Sequence, residues 1–216
     1  MTHSLHREGT LASLERDYVL YVYPAKGINW KGSVPKVRRL AQMVYQAGPA
    51  NLILTTLRRN MYSGITPEEV VESITQEGTR VFCVFNGREK IKEALRRIKE
   101  ADEGISIVVS GVIDRVREIS AEVGIAPHTI NLSLGIRGRT DRLPPADIRE
   151  FTTMCGHGLV SPHLVSDIIR RAKQGKIDEW KASIVLAKPC ACGIFNPFRA
   201  MALLRDKMPL YTVARW

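Results

Sequence analysis

At 216 residues with 44% hydrophobic content, the chain is long enough to bury a substantial core in one domain, or in one domain with a small appendage. No apolar run approaches membrane-spanning length, and residues 1–16 lack the continuous apolar stretch of a signal peptide, so the sequence reads as a cytoplasmic protein with no membrane partner. The formal net charge is +10, but the lysines and arginines are spread over several segments, which indicates solvated helix faces and makes nucleic acid a disfavoured partner.

Residues 1–16 read as a flexible N-terminus. Over 17–148 two periods alternate. Tyr18–Tyr23, Leu52–Thr55, Val81–Phe85, Ile105–Val109 and Thr129–Leu134 are short and rich in β-branched or aromatic residues, which predicts five strands. Between them Val34–Ala47, Pro67–Glu77, Glu89–Ala101 and Val112–Val123 have helical spacing. Strands alternating with amphipathic helices predict an α/β domain whose five-stranded sheet is mostly parallel, with helices on its faces. A split βαβ arrangement of residues 79–134 is the competing topology. The glycine turns after the strands, Asn86-Gly87 and Ser110-Gly111 among them, match neither a P-loop nor a dinucleotide fingerprint.

Residues 149–216 read as a helical segment, and three of the four cysteines fall in it. Met154-Cys155-Gly156-His157-Gly158-Leu159-Val160-Ser161 precedes one helix, and Lys188-Pro189-Cys190-Ala191-Cys192-Gly193-Ile194-Phe195-Asn196-Pro197 precedes another. Ser161-Pro162 and Asn196-Pro197 each give a hydroxyl or amide N-cap followed by proline at the first helical position, and Asp178 caps a helix between them. Two helices joined at Gly175 bring the chain back on itself, so the two cysteine loops can meet as one site with Cys155, His157, Cys190 and Cys192 as ligands. Both loops end at helix N-termini, whose dipole favours thiolate over thiol. Cys83, inside an apolar strand, reads as a small hydrophobe.

The run Cys155-x-His157-x-x-Val160-Ser161, the helical hairpin and the second cysteine pair resemble the bacterioferritin-associated-ferredoxin-like 2Fe-2S domain. The resemblance covers the C-terminal third only, and it implies that the cysteines hold the cluster. In this chain His157 stands where that family has a second cysteine, and Cys190-Ala191-Cys192 is one residue shorter than the family's Cys-x-x-Cys.

Three thiolates and an imidazole suit an iron–sulfur cluster, with zinc as the alternative, whereas magnesium or calcium would need oxygen ligands. The expected function is therefore an iron–sulfur protein that transfers electrons to a redox partner or acts as a Lewis acid on a small anionic molecule. In the second role His157 would be a catalytic proton carrier, and Arg137, Arg139 and Arg142, in the loop after the last expected strand, would hold the anion. Two other classes stay open. One is a zinc-stabilised protein that binds nucleic acid or another acidic partner. The other is a cysteine-dependent enzyme with Cys155 as nucleophile and His157 or His163 as base. His128 is a spare histidine near the same stretch.

Overall fold

The computed structural model describes residues 5–54 and 59–207. In chain order the elements are α1 (Leu11–Leu14), β1 (Tyr18–Tyr23), α2 (Ser33–Gln46), β2 (Asn51–Leu54), β3 (Arg59–Asn60), α3 (Pro67–Glu72), β4 (Val81–Phe85), α4 (Arg88–Ala101), β5 (Ser106–Ser110), α5 (Ile113–Glu122), α6 (Ala146–Thr152), α7 (Pro162–Lys173), α8 (Glu179–Ala187) and α9 (Pro197–Lys207).

The sheet order is β3-β2-β4-β1-β5, and every neighbouring pair is antiparallel. This corrects the expectation of a mostly parallel sheet. Each strand–helix–strand unit skips a place: β4 fills the gap between β1 and β2, and β1 fills the gap between β4 and β5. The split βαβ topology therefore runs through residues 18–110 instead of 79–134. The alternation of strands and helices that suggested parallel pairing is equally produced by crossovers that skip a place, and the apolar central strands are covered on both faces.

Those two faces carry two cores. Leu20, Leu52 and Cys83 lie in register and point with Val22, Val81 and Phe85 toward α2, α3 and α4. Their alternates Val19, Tyr21, Ile53, Phe82 and Val84 point the other way, where α6, α7, α8 and α9 pack with Phe151, Ile168, Leu186 and Phe195. The cysteine-bearing helices thus use the sheet as their floor, and Cys83 is on the far side of it from the other three cysteines.

The expected strand Thr129–Leu134 is the second correction. Among the described residues it joins no ladder, and its alternating Ile130, Leu132 and Leu134 are exposed. Strand propensity is realised only through cross-strand partners and burial, and this segment has neither. The fifth strand of the sheet is instead the two-residue β3, and Thr55 of the expected second strand lies outside the described residues. No helix among the described residues is long and apolar enough to cross a membrane.

Candidate metal centre

The helices around the cysteines start where their capping residues dictate. The Ser161 hydroxyl accepts from the Leu164 N–H, the Asp178 carboxylate from the Lys181 N–H, and the Asn196 amide oxygen from the Arg199 N–H. Each cap satisfies an N–H that has no partner inside the helix. With α7 and α9 so anchored, the loops ahead of them take up the same turn. The Gly158 N–H donates to the Cys155 carbonyl at 3.0 Å, and the Gly193 N–H donates to the Cys190 carbonyl at 3.2 Å. Both glycines are left-handed, at φ +70° and +62°, a conformation that other residues adopt only with strain.

The two loops are repeats of one octapeptide. Cys155-Gly156-His157-Gly158-Leu159-Val160-Ser161-Pro162 aligns without a gap on Cys190-Ala191-Cys192-Gly193-Ile194-Phe195-Asn196-Pro197. Cysteine, turn glycine, aliphatic residue, N-cap and proline all recur in place, and His157 occupies the turn position that Cys192 has in the other copy. The equal spacing is visible in the sequence, but its meaning comes only from the shared turn.

All three cysteines are buried, at 1%, 0% and 5% exposure for Cys155, Cys190 and Cys192. Cys190 is the middle member: its Sγ is 3.8 Å from that of Cys192, and it also interacts with the Cys155 thiol. Two thiolates on one tetrahedral ion with 2.3 Å bonds stand about 3.8 Å apart, so the Cys190–Cys192 spacing fits a shared metal. The contacts separate the three acidities. Interaction with Cys190 and then burial push the Cys155 thiol well up. Contact with Cys155 pulls Cys190 down, but contact with Cys192 and burial outweigh it and leave Cys190 raised to about 11. Cys192 is lowered, first by its contact with Cys190 and further by the Ile194 N–H and the Arg7 cation. Backbone N–H groups of His157 and Leu159 favour thiolate at Cys155, and that of Phe195 favours it at Cys190.

The second loop is fastened to the sheet by buried amides. Asn60, at the end of β3, donates from Nδ2 to the carbonyls of Ala187 (3.0 Å), Lys188 (3.3 Å) and Cys190 (2.9 Å). Asn51, at the start of β2, donates to the Phe195 carbonyl at 3.2 Å. A Cβ on Gly193 would stand 2.8 Å from Ile53 Cβ, so the turn lies against β2 as closely as backbone can. From the N-terminal segment, Arg7 donates to the carbonyls of Met154 and Ile194, one in each loop, and pairs with the buried Asp17. Asn51, Asn60 and Arg7 were missed in the sequence, because each is remote in the chain from the loop it holds.

The remaining expected residues are not drawn into this cluster. His157 is exposed, and so are His163 and His128. Arg137, Arg139 and Arg142 are exposed as well, with Arg139 paired to Asp141 at 2.8 Å. Among the described residues, no group of three or more His, Cys, Asp or Glu side chains is placed ready to hold a metal ion. Family models, curated proteins and solved structures give no match to the chain.

Proposed function

We propose that the chain is a cytoplasmic iron–sulfur protein whose centre is held by Cys155, Cys190 and Cys192. The observation that carries this reading is the meeting of three buried thiols from two identical turns, each with backbone N–H groups directed to its sulfur. Burial and N–H bonds to sulfur are the means by which proteins tune such centres. His157 is the fourth ligand by its turn position, since it stands where the other copy has Cys192. The two glycines beside it give the exposed loop freedom to turn the imidazole inward. The work of the centre is then electron transfer, or Lewis-acid chemistry on a small anion if His157 stays outside as a proton carrier.

Zinc remains the second reading, because a 3.8 Å thiol pair suits a zinc ion as well as one iron of a two-iron cluster. The basic balance does not favour the nucleic-acid reading, since Arg39, Arg88, Lys92, Arg96, Arg97 and Arg115 are all engaged with carboxylates. The test is anaerobic purification of the whole chain with analysis of iron, acid-labile sulfide and zinc. Iron and sulfide in comparable amounts are expected, lost on Cys155→Ser, Cys190→Ser or Cys192→Ser. Stoichiometric zinc without sulfide would move the assignment to zinc. His157→Ala that keeps full iron would remove His157 from the ligand set.

A further inference from the structure

We propose that Arg7 is the positioning cation of the thiol centre, the residue that joins the two cysteine turns and offsets the negative charge of their thiolates. The inference rests on the metal-thiolate reading above and assigns a role to a residue forty-odd positions before the second strand and far from every cysteine in sequence.

Three observations carry it. Arg7 reaches both turns at once, donating to Met154 O, next to Cys155, and to Ile194 O, two residues after Cys192. No other side chain described above bridges the two loops. Its side chain is 6% exposed, so the charge acts through little water and is weakly screened. It is held there by Asp17, which is fully buried and also pairs with Arg199 at 2.8 Å, while Asn196 donates to Asp17 at 3.2 Å and thereby ties the pair to the N-cap of α9.

The chemistry follows from charge. Three thiolates around a divalent ion leave the centre net negative inside a dry core, and burying net charge is costly unless a counter-charge is built in. Of the two guanidiniums that face Asp17, Arg7 is the one that also reaches the cysteine turns. Guanidinium suits this place because it stays protonated and spans two carbonyls with one planar fork.

The experiment compares wild type, Arg7→Lys and Arg7→Met as full chains, reduced and metal-free, titrated anaerobically with Co2+ as the probe. Thiolate-to-cobalt charge-transfer absorbance counts the sulfurs bound, and circular dichroism confirms the fold of each variant. Wild type is expected to show the charge-transfer band. Arg7→Met should bind about tenfold more weakly, the size of one cation's effect at partial screening, and Arg7→Lys should recover most of that loss. Equal affinity in all three variants overturns the role of Arg7 while leaving the thiolate centre intact. Equal weakening in Lys and Met variants overturns the charge role, since only the fork would then matter. A wild type that binds cobalt without the charge-transfer band, or not at all, refutes the metal-thiolate reading and this inference with it. Should Arg7→Met lose its fold, the Lys variant decides: near-wild-type affinity supports the cation, and a tenfold loss overturns it.

Discussion

Asn60 offers the sharpest test of how the sheet supports the centre. Its Nδ2 has two protons for three carbonyls, so the 3.0 and 2.9 Å bonds to Ala187 and Cys190 are the principal ones and the 3.3 Å contact to Lys188 is shared. Its Oδ1 accepts from the Tyr62 N–H at 2.9 Å, which starts the 3-10 turn Met61–Ser63. Asn60→Ala therefore leaves the Tyr62 N–H without its acceptor and removes one of two donors from each of the Ala187 and Cys190 carbonyls, which keep the Cys190 and Gly193 N–H groups. At about 1–3 kcal/mol for the stranded N–H and about 0.5–1.5 kcal/mol for each of the two lost hydrogen bonds, the loss should be about 4 kcal/mol. Against a total of about 5–15 kcal/mol for a folded domain, that is a large share. Urea unfolding of the metal-free chain measures it directly. Asn60→Ser separates the two ends of the side chain: the hydroxyl can still accept from Tyr62 but cannot reach the Cys190 loop. The serine variant should recover about 1 kcal/mol of stability, yet lose metal as fast as the alanine variant. A loss below about 1 kcal/mol in Asn60→Ala would refute the idea that this side chain fastens the loop.

Gly193→Ala should cost about 3 kcal/mol, because it combines a left-handed φ with a Cβ pressed on Ile53, whereas Gly158→Ala, with open space around it, should cost about 1 kcal/mol; thermal melts of the two variants compare them. Cys83→Ala should leave metal content unchanged while costing about 1 kcal/mol, since that thiol lies on the opposite face of the sheet and donates only to the Leu20 carbonyl; metal analysis beside urea unfolding checks both. At Asp17, burial raises the carboxyl but Arg7 and Arg199 more than offset it and hold it below the usual 3.8. A folded-state value below the unfolded one means that its contribution is complete above about pH 4 and is lost as pH falls through the lower folded value, so Asp17→Asn should flatten the acid limb of a stability–pH curve.

Local signals in the sequence were read correctly because local chemistry decides them. Ser161, Asp178 and Asn196 are caps wherever they occur ahead of a helix, and α7, α8 and α9 begin where those residues place them. The four long strands were visible from their β-branched runs. Strand direction was not, because alternation of strands and helices is the same whether a crossover joins adjacent strands or skips one. Thr129–Leu134 misled for a related reason, since period-two alternation records a capacity for pairing and not a partner. Cys155, Cys190 and Cys192 were legible as a group from their glycine and proline surroundings. Their supports were not, as Asn51 and Asn60 look like ordinary strand-end residues and Arg7 sits in a segment with no periodicity.

Those supports reach the cysteine loops across sequence separations of 187 residues for Arg7 to Ile194, 130 for Asn60 to Cys190 and 144 for Asn51 to Phe195. The first cysteine turn leaves the ribosome well before the second, but neither can be fixed until β2, β3 and the N-terminal segment are in place and α9 has been made. Contacts of such span close late, after the entropy of long loops has been overcome. On the proposed metal-thiolate reading, a centre assembled this way cannot be loaded before α9 has been made, and a ribosome that stalls before residue 197 releases a chain with thiols but no site for them.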